Sequence, residues 1–177
     1  MLTLSLLRHA KSSWDKPGLD DYDRPLAKRG KKAAPEIGAA MSAMGLRPDL
    51  VLCSGAVRAR ETLDLVLPKL GPPPPEVVYD EAVYMATPAA LLARLRAIET
   101  GPQWGTPRHV MLVGHNPGME ELALLLIGSG AADDTARMAE KFPTAAVAVV
   151  AFNGEDWSGI RPGAGRLEHF LTPKSLA

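Results

Sequence analysis

The stretch that most constrains the fold is Leu4-Ser5-Leu6-Leu7-Arg8-His9-Ala10-Lys11-Ser12, an apolar run that stops abruptly on a cation and an imidazole. A short, almost continuous apolar run reads as a strand buried on both faces. Ligand crevices in open α/β sheets form beyond the carboxyl ends of strands, so Arg8 and His9 are expected at the rim of one. The arrangement returns in Val110-Met111-Leu112-Val113-Gly114-His115-Asn116. A further apolar run, Leu50–Cys53, leads into Ser54-Gly55-Ala56-Val57-Arg58-Ala59-Arg60-Glu61-Thr62. Strand ends thus bring together the imidazoles of His9 and His115 with the guanidiniums of Arg8 and Arg58.

Guanidinium forks match the paired oxygens of a phosphoryl group and stay charged at any working pH, so Arg8 and Arg58 read as a clamp. A neutral imidazole can attack phosphorus and hold the group covalently. A second imidazole, charged, would stabilise the equatorial oxygens, because phosphoryl transfer is mostly positioning and electrostatics. The scheme needs no metal or cofactor. The chain has no His-x-x-x-His pair, no cysteine cluster and no Gly-x-x-x-x-Gly-Lys-Ser/Thr loop.

Arg8-His9-Ala10 after a first strand, Ser54-x-x-x-Arg58-Ala59-x-x-Thr62 after a second and Gly114-His115-Asn116 after a later one resemble the histidine phosphatase superfamily. Arg8-His9-Ala10-Lys11-Ser12, with Asp23-Arg24-Pro25-Leu26 and then Gly30, resembles its branch of small protein phosphohistidine phosphatases. The resemblance implies a three-layer α/β/α sandwich on a mixed, mostly parallel sheet. It also implies that His9 is the phosphorylated nucleophile, that Arg8, Arg58 and His115 complete the phosphate pocket, and that Glu81, three residues before Tyr84, donates a proton. Lys11, Ser12 and Asn116 are expected to bind substrate beside Arg8, Arg58 and His115. The implied substrate is a phosphohistidine on a signalling protein such as a histidine phosphotransfer domain. The alternatives are a small phosphoester or, with no catalysis, a phosphoprotein held in the same pocket. An imidazole leaving group needs less protonation than an alkoxide, so Glu81 is dispensable in the first case.

The rest of the chain is read around these positions. Residues 10–25, with Pro17, Gly18 and Pro25, form a loop over the site. Its Ser12, Trp14 and Arg24 are candidates for substrate contact, while Asp20, Asp21 and Asp23 are expected to face solvent. Residues 26–44 carry Ala33, Ile37, Ala40, Met41 and Met44 at helical spacing, with Gly45 and Pro48 as stops. Lys28, Arg29, Lys31 and Lys32 have the wrong sign for the start of that helix, and read either as a solvated face or as a rim that docks an acidic partner. Ser54 suits an N-cap for a helix with the stripe Leu63, Val66, Leu67 and Leu70, which puts Arg58 in an anion-favouring first turn. Thr62, one turn on, hydrogen-bonds near the pocket or stays on the helix surface. Glu76–Tyr79 reads as a strand, 88–98 as a helix, 101–107 as a turn-rich link, 129–141 as loop with some helix, and 144–152 as a central strand. A last strand, Gly165–Leu171, has Leu167, His169 and Leu171 on one face. His109 is expected at a surface or strand edge, and His169 in a structural role.

The 177 residues suit one domain spanning 1–177. Twenty basic residues balance twenty acidic ones, which argues against non-specific nucleic-acid binding. The single Cys53, in an apolar run, points to a core thiol in a reduced, cytoplasmic setting. Residues 1–7 lack a basic flank and are too short for a signal-peptide core or a membrane span.

Overall fold

A computed structural model describes residues 1–101 and 105–177. Its centre is a seven-stranded sheet in the order β3-β2-β4-β1-β6-β7-β5. The strands are β1 (Leu2–Arg8), β2 (Leu50–Cys53), β3 (Glu76–Tyr79), β4 (His109–Gly114), β5 (Ile127–Gly130), β6 (Val147–Phe152) and β7 (Gly165–Leu171). Pairings β1/β4, β2/β3, β2/β4 and β5/β7 are parallel, and those of β6 with β1 and β7 are antiparallel. Both faces are covered. Leu2, Leu4 and Leu6 of β1 point with Val110, Leu112, Ala148 and Val150 into one core, and Leu7, Met111, Val113, Val147 and Val149 into the other. The two-residue period of a strand buried on both sides explains why these segments read as apolar runs.

Helices α1 (Lys28–Ala43) and α2 (Val57–Leu70) cover one face through Ala34, Ile37, Met41, Leu63, Val66 and Leu70. On the other, α3 (Pro88–Arg96), α4 (Gly118–Leu126) and α5 (Ala132–Glu140) supply Leu91, Leu95, Met119, Leu122 and Met138, and Trp157 is buried among them. A short α6 (Pro173–Leu176) ends the chain under a Thr172 capping box. No helix among the described residues is long and apolar enough to cross a membrane.

Several expectations change in detail. In α1 the buried stripe is Gly30, Ala34, Ile37, Gly38 and Met41, with Gly38 against Val66 of α2 and Gly30 against the Lys11 backbone, while Met44, at the C-cap, is exposed. A strand, β5, lies within residues 127–130 beside β7. In β7 a register shift opposite Val149 and Val150 passes over Glu168, so Leu167 faces one core and Leu171 the other. A bulge of this kind breaks a two-residue alternation. His109 is buried rather than at the surface, its Nε2 2.8 Å from the Ser5 hydroxyl on β1. Of the expected link 101–107, residues 102–104 lie outside the described residues. The chain arrives at β4 with Gly101 and Gly105 exchanging backbone hydrogen bonds.

Candidate active site

The carboxyl ends of β1, β4 and β2 lie side by side, Arg8 opposite Gly114, and there the chain opens a cleft of about 270 Å³. Arg8, His9, Arg58 and His115 line it together, as their motifs imply. Lys11, Ser12, Trp14, Arg24, Met85, Asn116 and Thr144 complete its wall. The expected contributions of Lys11, Ser12 and Asn116, and of the loop candidates Trp14 and Arg24, therefore meet at one place.

His9 is fixed through both its backbone and its ring. Its backbone N–H donates to the Gly114 carbonyl at 3.1 Å, and its ring Nδ1 lies 2.7 Å from the Ala10 carbonyl. A carbonyl can only accept, so Nδ1 carries the hydrogen and Nε2 keeps its lone pair. Ala10 is held in turn: its N–H donates to Thr62 Oγ1 at 2.9 Å, and that hydroxyl donates to the Arg58 carbonyl one helical turn back. Of the two readings of Thr62 the pocket-side one holds, and the residue is fully buried. Burial first, then the charges of Arg58 and Arg8, outweighs the Ala10 hydrogen bond and pushes the His9 pKa down to about 4. The imidazole is neutral at ordinary pH, and Nε2 keeps a lone pair met only by Arg58 Nε at 3.4 Å.

His115 lies with its ring centroid 5.1 Å from that of His9. Its Nε2 is 2.8 Å from Ser54 Oγ, which also accepts the Ala56 N–H at 3.2 Å. Ser54 is therefore not the N-cap of α2: Ala56 takes that place, and the hydroxyl is spent on the imidazole. Burial, aided by His9 and Arg58, lowers the His115 pKa to about 3, so it is neutral in the free protein rather than charged as expected. Its Nδ1 and Arg8 Nε are the buried side-chain nitrogens without a partner among the described residues. Buried polar atoms are nearly always bonded, so two unpartnered nitrogens on residues that line one cleft are groups a polar ligand could satisfy.

Arg8 Nη1 and Asn116 Nδ2 both donate to the Phe142 carbonyl, each at 3.0 Å. Ala145 follows in a left-handed conformation (φ 61°) and gives its N–H to the carbonyls of Arg8 and His9. The Phe142–Ala145 segment thus sets the height of the Arg8-His9 step, a role no residue type in it signals. Arg58, in the first turn of α2, sends Nε to His9 Nε2 at 3.4 Å and its other nitrogens to Asp21. Asp21 is exposed, as expected of the loop, but its carboxylate is not merely solvated: it also accepts from Arg58, Arg24 and Tyr84. Arg24, also buried, donates to Ser12 Oγ at 2.6 Å and lies under the exposed Trp14 ring.

Glu81 stands apart. It opens a 3₁₀ turn, Glu81–Val83, and accepts the Tyr22 hydroxyl at 2.5 Å; Gly55 lacks the Cβ that would collide with this pair. It is not among the cleft residues. No three His, Cys, Asp or Glu side chains among the described residues converge as a metal-binding group.

Comparison with known proteins agrees with this geometry. Residues 4–84 match the model of the histidine phosphatase superfamily, branch 1. An uncharacterised Mycobacterium tuberculosis protein is 35% identical over 170 residues, covering 95% of this chain and all of that one. The crystal structure of the Agrobacterium tumefaciens protein assigned as phosphohistidine phosphatase SixA superposes with a TM-score of 0.79 at 32% identity, covering 97% of this chain and 98% of that one. A protein histidine phosphatase SixA complexed with tungstate shares the fold, with a TM-score of 0.75 at 21% identity over 99% of this chain and all of the other. The chain belongs to the histidine phosphatase superfamily, in its SixA-like branch.

Proposed function

We propose that this protein is a metal-independent phosphatase that takes a phosphoryl group from a phosphohistidine on a signalling protein, such as a histidine phosphotransfer domain, and carries it on His9. Family membership supports a phosphatase, hence a hydrolase. The observation that carries the reading is the His9 ring, pinned through Nδ1 to the Ala10 carbonyl at 2.7 Å, with Nε2 presented to a cleft lined by Arg8, Arg58 and His115.

In the first step the Nε2 lone pair attacks phosphorus, and the phosphorus–nitrogen bond of the substrate breaks with its electron pair going to the substrate imidazole. That ring, protonated from solvent on its distal nitrogen, leaves neutral. Water then attacks the phosphoryl group on His9, the new bond between nitrogen and phosphorus breaks, and inorganic phosphate and the free imidazole are restored. Arg8 and Arg58 balance the charge, and the unpartnered Arg8 Nε and His115 Nδ1, the latter carrying the ring hydrogen when the Ser54 hydroxyl donates to Nε2, would donate to the oxygens.

The carboxylates support a phosphoramidate over an alkyl ester. Glu81 is tied to Tyr22 outside the cleft, and the Tyr84 hydroxyl, with Arg58, holds Asp21 down at about 2, so it is ionised. Neither is placed to protonate an alkoxide at neutral pH. If the protein were instead a phosphatase of small phosphoesters, Glu81→Gln would abolish ester hydrolysis. Buried Cys53, its thiol pushed up to about 12 by desolvation, is unreactive and fits a cytoplasmic setting.

The test compares wild type with His9→Ala on a histidine-phosphorylated transfer domain and on an aryl phosphate. Loss of phosphate from the domain that depends on His9 and outpaces aryl phosphate cleavage is expected. Faster ester cleavage would reassign the protein to small phosphoesters, and turnover of neither would make it a phosphoprotein-binding module.

A further inference from the structure

Arg58 reaches its place with the help of an acidic residue from a different part of the chain. Nη1 donates to the Asp21 carbonyl at 2.6 Å and Nη2 to Asp21 Oδ2 at 2.9 Å, so one residue takes the whole end of the guanidinium. The edge that carries Nε is left turned towards His9 Nε2, 3.4 Å away. Asp21 is itself held from two further directions. The Tyr84 hydroxyl donates to Oδ2 at 2.5 Å, and Arg24 Nη1 to Oδ1 at 3.2 Å. A carboxylate with 47% of its side chain exposed would make no such set of bonds if it served only to solvate a loop.

An arginine has many rotamers, and its planar fork is useful to a phosphoryl group only when the correct edge faces it. Fixing that edge before the ligand arrives removes the ordering step from the reaction. We infer that Asp21 is a positioning residue: it grips Arg58 end-on so that the Nε edge stays turned to the phosphoryl group at His9. The inference rests on the phosphatase reading and deepens it by making the 3₁₀ turn Asp21–Asp23 part of the site. Asp21 acts through Arg58, and its carboxylate does not meet the reacting atoms.

The test is a double-mutant cycle of Asp21→Ala and Arg58→Ala, read as kcat on the phosphorylated transfer domain and as affinity for tungstate by calorimetry. Asp21→Ala is expected to lower kcat about 10- to 100-fold and to weaken tungstate binding, whereas removing Asp21 from an Arg58→Ala protein changes either by less than about twofold. Asp21→Asn, whose amide oxygen still accepts from Nη2, is expected to keep most of wild-type kcat. If Asp21→Ala does not fold, Asp21→Ser, too short to reach Arg58, takes its place in the cycle. Wild-type kcat in Asp21→Ala, an additive cycle, or Asp21→Asn as impaired as Asp21→Ala would overturn the inference. A wild type that turns over no phosphohistidine would sink the phosphatase reading alone, because the tungstate arm still reports the coupling.

Discussion

His9 owes its protonation state to where the strand stops. Arg8 ends β1, and the next residue falls inside the protein, so the imidazole loses water and sits near two permanent cations. An imidazole in an unfolded chain titrates near 6.5, whereas His9 is held at about 4 and His115 at about 3. NMR titration of the His9 ring in the free protein is therefore expected to show no midpoint above about 5. A midpoint between 6 and 7 would contradict the burial argument. The sign for stability follows: between pH 6.5 and 4 the unfolded chain binds more protons than the folded one, so stability falls as the pH drops through that window. At this scale Arg8, His9, Arg58 and His115 were legible because each stands at or just past the end of an apolar run. Asp21 was not. It is one of three aspartates in a polar loop, and its partners Arg58 and Tyr84 lie 37 and 63 residues away. Nothing local distinguishes it from Asp20 or Asp23.

Among the elements, α1 joins the site to the surface. Gly30 is buried against the backbone of Lys11, where any Cβ would collide with the Lys11 carbonyl, and the Ala27 N–H donates to that same carbonyl at 2.8 Å. The helix start thus braces the loop that follows His9. Its first turn carries Lys28, Arg29, Lys31 and Lys32 with no acidic residue, whereas α4 opens with Glu120 and Glu121 and α5 with Asp133 and Asp134. Four cations at the positive end of a helix dipole oppose folding. Replacing Lys28 and Lys31 by Glu is expected to raise stability by roughly 0.3–1 kcal/mol per site in chemical denaturation. If the turn docks an acidic phosphoprotein, the same variant lowers kcat/KM on the protein substrate and leaves aryl phosphate turnover unchanged; equal turnover of the protein substrate would leave the turn a solvated face. Helices α1 to α3 and strands β1 to β4 and β6 were legible from period and stops. β5 was hidden because Ile127-Gly128-Ser129-Gly130 has no apolar alternation, and it exists by pairing with β7. The two faces of β7 were misassigned because a bulge is a tertiary event that leaves no mark in the local pattern.

For the molecule as a whole, burial of both sheet faces fixes which strand ends can be open. β1, β4 and β2 lie in the interior of the sheet, and their carboxyl ends supply the floor of the cleft, while the loop 10–25, Met85 and the Phe142–Ala145 segment close round it. The α/β class was legible in the alternation of apolar runs with amphipathic helices, and the three-layer sandwich in the family resemblance. The loops that trim the site did not, since their placement depends on long-range bonds such as Tyr22 to Glu81 and Arg8 to Phe142. The proposed phosphatase activity requires a covalent step at His9. The most direct measurement is to mix the protein with a labelled, histidine-phosphorylated transfer domain, quench within milliseconds at alkaline pH, and map the label by mass spectrometry. Label on His9 that forms and decays within one turnover, with activity reduced at least about 10³-fold in His9→Ala, is expected. Release of phosphate with no label on His9 and with turnover preserved in His9→Ala would contradict it.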